Sequence, residues 1–293
     1  MAVTLVAVSL PPLTRSPSPL GVEAVAQFLE RVAAAAPDVR VLSVTLDELM
    51  VASRAAPGGE FASRRATAPR RGVPNASSGA DSARIWDPSA DGADGCVIVP
   101  LALSCTPHDA AALLAAARVF SGVTPSVVAQ PWGPDGRVVD ALIDRLLGVG
   151  LRASDRVVLD CAEASDLGVA DAAATRSMLS SSLGIAVALG FSDTAPAAPS
   201  DVQIVSTEDA IARERAQSPG SRVIVSSYSL TGNAAASAQA SAAERVAPPL
   251  LAADEGPPQS LVDLLLERFY AAADQLDNAR LETVVSEPPL GLA

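Results

Sequence analysis

Residues 96–109 read Cys-Val-Ile-Val-Pro-Leu-Ala-Leu-Ser-Cys-Thr-Pro-His-Asp, and the fold follows from them. The first eight, Cys96–Leu103, form an unbroken apolar run of strand length. Such a run suits a strand buried on both faces, as in a parallel sheet covered by helices on each side. The next six residues read as a turn that opens a helix. Thr106 is placed as N-cap, Pro107 as the first helical residue, and Asp109 three positions beyond the cap. Ligands of open parallel sheets bind beyond the carboxyl ends of the strands. His108, the only histidine of the chain, lies there. An imidazole at that place can ligate a metal or carry a proton.

Working outward, short apolar runs alternate with helical patterns, the signature of βαβ units. Strands are predicted at 2–9, 39–44, 96–103 and 126–129. Helices are predicted at 21–35, 109–120 and 136–147, the first with Val22, Val25, Phe28, Leu29 and Val32 at helical spacing. The order then begins again. Strands are predicted at 156–162, 185–190 and 222–228, with helices at 170–183, 207–217, 234–245 and 260–274.

The second half repeats the first in texture. Residues 97–104 (VIVPLALS) match 223–230 (VIVSSYSL), and TLVAVS at 4–9 corresponds to VVLDCA at 157–162. The stretch starting at Ala129 resembles the one starting at Ala247. A period of half the chain indicates domain duplication, not a solenoid. The expected architecture is α/β, with two similar lobes, each a parallel sheet flanked by helices, and a cleft between them. The lobes are assigned to residues 1–150 and 151–275, with a tail at 276–293. Between the second and third strands the first lobe carries an insert, about 54–95, rich in Gly, Ser, Ala, Pro and Arg. That composition predicts a mobile loop.

Composition narrows the function classes. The chain has 293 residues, 49% of them hydrophobic, and a formal net charge of −12. Its mean hydropathy is +0.31. No apolar run approaches the roughly 18 residues a membrane span requires. The acidic balance disfavours nucleic acid and anionic membrane surfaces as partners. The three cysteines, Cys96, Cys105 and Cys161, show no C-x-x-C spacing, which argues against a disulfide framework or a structural zinc site. The start, MAVTLVAVSL, reads as a strand and not a signal peptide, so a cytoplasmic protein is expected. There is no lysine, hence no phosphate loop ending in Gly-Lys. No G-x-G-x-x-G follows either lobe's first strand, and no nucleotide cofactor is expected.

With VIVPLALSCTPH, AQPWGPDGRVVDAL, RVIVSSYSLTGN and SLVDLLLERFYAA in this order, the chain resembles the sirohydrochlorin chelatases. These are the class II cobalt- and iron-inserting enzymes of cobalamin and sirohaem synthesis, here in their long two-lobed form. The resemblance covers most of residues 3–275, apart from the insert. It implies a lyase that inserts a divalent metal, cobalt or ferrous iron, into a sirohydrochlorin-type tetrapyrrole. Of the two histidines the family carries, the one past the third strand maps onto His108. The other maps onto Val8, so the His-Gly-Ser-Arg motif is absent. A non-catalytic relative that binds a tetrapyrrole or a partner protein is the alternative reading.

The resemblance makes His108 the catalytic and metal-associated residue. The metal would be a substrate, and neutral imidazole suits borderline ions such as cobalt or ferrous iron. The macrocycle's carboxylates call for Arg or helix N-termini. Arg15, Arg64, Arg65, Arg70 and Arg71 are candidates for that contact, and Glu163 is a candidate cleft carboxylate. Cys105 and Asp109 lie beside His108, the first read as a buried filler and the second as a helix-capping acid. A chain holding two fused lobes is expected to be monomeric.

Overall fold

The computed structural model describes residues 3–10, 19–55, 93–162, 165–192, 204–231, 243–252 and 256–286. Two parallel four-stranded sheets carry the architecture. The first holds β1 (Val3–Ser9), β2 (Arg40–Thr45), β3 (Gly95–Leu101) and β4 (Ser126–Val128), in the order β2-β1-β3-β4. The second holds β5 (Arg156–Cys161), β6 (Val187–Phe191), β7 (Val223–Tyr228) and β8 (Arg245–Ala247), in the order β6-β5-β7-β8. The two orders are one topology written twice.

The helices are α1 (Pro19–Ala35), α2 (Leu46–Ala55), α3 (Pro107–Phe120) and α4 (Gly136–Gly148), then α5 (Asp166–Leu183), α6 (Thr207–Gln217) and α7 (Gln259–Ser286). All seven residues of β3 are buried, as a central parallel strand requires. Pro100 is tolerated within it for a definite reason. The backbone bonds from Cys96 N to Pro125 O and from Ala129 N to Ile98 O show that even-numbered residues of β3 bond toward β4. The β4 pairing ends at Ile98–Val128, so Pro100 stands at the end of that ladder, where its missing N–H interrupts no further pairing.

Three elements differ from the sequence expectation. Helix α2 was not anticipated. Thr45 Oγ1 accepts from the Glu48 N–H (3.2 Å), while Glu48 Oε2 accepts from both the Thr45 N–H (2.7 Å) and hydroxyl (2.9 Å), forming a capping box. Helix α7 continues to Ser286, so the segment from 276, expected as a tail, opens inside a helix. Arg245, expected to end a helix, instead begins β8, pairing with Ile224. Within α1, Val22 is exposed and Ala24 takes a buried place beside Phe28 and Val32. Residues 56–92 of the predicted insert and 234–242 of the predicted helix lie outside the described residues.

The helix that closes each half covers the other half's sheet. Helix α4 follows β4 yet packs on β7, β8 and α5, while α7 packs on β3, β4 and α1. The buried face of α4 is Val138, Val139, Ala141, Leu142, Arg145 and Leu146. That of α7 includes Leu261, Leu265, Phe269, Ala272 and Leu276, at three- and four-residue spacing. A single apolar cluster therefore joins the inner faces of both sheets, from Leu5, Val97 and Val99 through Trp132 and Phe28 to Leu159, Ile224 and Leu251. Smaller clusters fill the outer faces, under α2 and α3 on one sheet and under α6 on the other. Polar ties reinforce the exchange. Arg145 Nη2 donates to the carbonyls of Leu250 and Gly256, both at 3.0 Å, and Arg137 and Arg268 link Asp135 to α7.

Two pairs of backbone bonds set the correspondence between the halves. Trp132 N–H and Gly133 N–H donate to the carbonyls of Ala102 and Leu103. Leu250 N–H and Leu251 N–H donate likewise to Ser229 and Leu230. Leu101 thus corresponds to Tyr228, and Val97 to Ile224. This corrects the sequence match by one residue, a slip that would place every side chain on the wrong face.

Candidate functional site

The turn after β3 forms as its residues require. Thr106 Oγ1 accepts from the Asp109 N–H (3.1 Å) and donates to Asp109 Oδ2 (2.8 Å), with Pro107 as the first helical residue. Asp109 is buried in this box, a capping acid as its position predicts. His108, between them, is exposed at the carboxyl end of the sheet. Cys105 is buried, and burial pushes its thiol up to about 12, with the charges of Asp109 and Asp171 adding to the effect.

Asp171 belongs to α5 of the second half, and its charge bears on Cys105 of the first half and on Tyr228 at the end of β7. Thr175, one helical turn further along α5, donates its hydroxyl to Tyr228 Oη at 3.1 Å. Tyr228 is buried, which raises its phenol above the ordinary value. Its oxygen lies against the Gly133 turn of the first half, where an added Cβ would come within 2.6 Å of Tyr228 Oη and 2.9 Å of Leu103 O. The carboxyl ends of β3 and β7 therefore face one another, and Asp171 lies one turn before Thr175 on the same face of α5. Trp132, in the same turn, is fully buried against Phe28, ring centroids 5.3 Å apart, and packs without reaching solvent.

Val8, the position the resemblance assigns to a histidine, is fully buried in the outer apolar cluster that also holds Cys105 and Leu113. Among the described residues no group of three His, Cys, Asp or Glu side chains converges as a metal site. Arg15, Arg64, Arg65, Arg70, Arg71 and Glu163 lie outside the described residues. Asp171 and Tyr228 escaped the sequence reading. One available signal was Asp171 and Thr175 at i and i+4 on a helix otherwise rich in Ala and Ser.

The second sheet holds a further buried acid. Asp160 Oδ1 accepts from Ser192 Oγ (2.6 Å) and from Thr207 Oγ1, and burial raises its carboxyl above the usual range. Gly190 makes room for this contact, since a Cβ there would fall 2.6 Å from Thr207 Cα.

No protein-family model matches the chain, and neither does any curated protein. Solved structures do. The chain is similar to SirB from Bacillus subtilis with Fe3+, at TM-score 0.62 and 17% identity, over 94% of this chain and 97% of that one. It is also similar to the sirohydrochlorin chelatase SirB of Bacillus subtilis subspecies spizizenii in complex with cobalt, at TM-score 0.57 and 15% identity, over 95% and 98%. DR2241 from Deinococcus radiodurans, a multi-domain protein with structural similarity to chelatases, matches at TM-score 0.52 and 12% identity, over 91% of this chain and 54% of that one. At these identities the likeness establishes the fold, a two-lobed chelatase-like α/β architecture, and fold alone does not carry a reaction.

Proposed function

We propose that the chain inserts a divalent metal, cobalt or ferrous iron, into a sirohydrochlorin-type tetrapyrrole, with His108 as metal ligand or base. One observation carries the reading: the single imidazole stands exposed in a capped helix turn at the carboxyl edge of a parallel sheet. The two SirB structures of the same fold, one with Fe3+ and one with cobalt, support the metal class. Metal and macrocycle are both substrates. Four pyrrole nitrogens complete the coordination as the ion transfers, so His108 holds it only in passing. Arg15, Arg64, Arg65, Arg70 and Arg71 would meet the macrocycle's carboxylates, and Glu163 would face the cleft. The reading goes with a cytoplasmic monomer with lobes at 1–150 and 151–275, acting in cobalamin or sirohaem synthesis without a nucleotide cofactor, nucleic acid or membrane.

The test is anaerobic absorbance of sirohydrochlorin and cobalt, with the parent protein and with His108→Ala. Acceleration by the parent that the variant loses supports the reading. A parent rate equal to the uncatalysed rate overturns it. The buried, apolar Val8 favours a second reading, a non-catalytic relative that binds the tetrapyrrole. Fluorescence titration with sirohydrochlorin, giving saturable binding without acceleration, would select it.

A further inference from the structure

Metal insertion releases two pyrrole protons, and His108 accounts for at most one. Among the described residues, Cys105, Tyr228, Asp109 and Asp160 are poorly suited to take the second. Burial holds the Cys105 thiol near 12 and raises the Tyr228 phenol, so both keep their protons. Asp109 is engaged by Thr106. Asp160 accepts from two hydroxyls on the outer side of the second sheet.

Asp171 differs from all of these. It is half-buried, and among the described residues no hydrogen bond or ion pair engages its carboxylate. Its height is set by the helix that carries it. Helix α5 starts at the carboxyl edge of β5 and runs away from it, and Thr175 touches the Tyr228 hydroxyl at the end of β7. Asp171 lies one turn, about 5.4 Å, nearer the open edge. Its charge is felt at Cys105, three residues before His108.

We propose that Asp171 is a catalytic residue of the second lobe, accepting a pyrrole N–H proton of the macrocycle while His108 acts from the first lobe. This rests on the function proposed above. The N–H bond breaks, its electron pair stays on nitrogen and passes to the metal, and the proton goes to a carboxylate oxygen of Asp171 and then to water. No oxidant or reductant takes part. Partial burial raises the Asp171 carboxyl, which improves its match to a proton transfer near neutrality.

The experiment compares the parent, Asp171→Asn and Asp171→Glu in the anaerobic cobalt and sirohydrochlorin assay, with macrocycle affinity followed by fluorescence. Asn preserves shape and removes a desolvated charge that no described residue pairs, so its melting temperature should equal or exceed the parent's. The expected result is a fall in kcat of about 100-fold for Asn, with KM and macrocycle affinity within about twofold, and partial recovery in Glu. An active parent with Asp171→Asn within about twofold of its kcat overturns the role of Asp171 and leaves the proposed function standing. A loss in Asn that appears in KM and affinity alone also overturns it. A parent without acceleration overturns both.

Discussion

Asp160 occupies in the second sheet the place that Val8 occupies in the first. Val8 pairs in register with Pro100 and Asp160 with Ser227, and Pro100 corresponds to Ser227 once the halves are matched on Leu101 and Tyr228. One copy keeps an apolar side chain in a dry cluster, while the other keeps an acid satisfied by Ser192 and Thr207. The position assigned to a histidine by resemblance is thus filled differently in each half. Neither half presents an imidazole there.

The buried acid of the second half should act on stability through pH. Burial raises its folded carboxyl above the unfolded value of about 3.9, so the folded state disfavours the ionised form. Stability attributable to this group is therefore greatest below the unfolded value and falls as pH rises through the raised folded value. Asp160→Asn keeps an oxygen for both hydroxyls and should equal or exceed the parent's melting temperature at pH 7. Asp160→Ala should cost about 1–3 kcal/mol by stranding two buried hydroxyls. A melting temperature for Asn that falls as far as that for Ala would rule out the argument.

Arg222 and Asp155 give the opposite sign. Asp155 is buried, and its carboxyl is lowered first by the hydrogen bond from Arg222, with Oδ2 2.6 Å from Nη2. This contribution is present above the unfolded carboxylate value and disappears as pH falls through the lowered folded value. Arg222→Gln should melt below the parent at pH 7, and the gap should narrow near pH 2–3. A gap unchanged between the two pH values would contradict the assignment.

At the junction of the halves, Gly133→Ala would bring a methyl within 2.6 Å of Tyr228 Oη and 2.9 Å of Leu103 O. The carbonyl is backbone and cannot swing aside, so a loss of about 1–3 kcal/mol is expected in denaturant unfolding. Tyr228→Phe removes one of the two clashes. The Ala substitution should therefore be less damaging in the Phe background than alone, a coupling that a double-mutant cycle measures. Additive effects would mean that Tyr228 does not crowd this turn.

Local patterns were readable in the chain, and the pairing of distant segments was not. The apolar run at Cys96 and the Thr106–Asp109 box announce β3 and α3, and the span of α6 agrees residue for residue with its prediction. Helix α2 carried a readable capping box, Thr45-Leu-Asp-Glu48, but it runs into the Arg-rich segment, whose composition masks it. The slip in the internal match arose because VIV occurs in both halves on opposite faces, and identity of letters outweighed the period of two. No local pattern states that α4 and α7 exchange sheets, because an amphipathic stripe specifies that a face is buried, not against what. Asp171 was hidden for a similar reason: Cys105 and Tyr228, on which its charge bears, lie in distant parts of the chain.

The exchange of α4 and α7 has a thermodynamic consequence. Each sheet is covered on its inner side by the helix that closes the other half, so neither half retains a complete core alone. Leu142 on α4 and Leu265 on α7 are both fully buried in the shared cluster. Truncating either to Ala should cost about 2–5 kcal/mol, with the transfer and cavity contributions combined. Scanning calorimetry should show one transition for the parent and for each variant, shifted downward as a whole, because unfolding either sheet strips the cover from the other. Two separable transitions, with Leu142→Ala moving one and Leu265→Ala the other, would show instead that the halves unfold independently despite the exchanged helices.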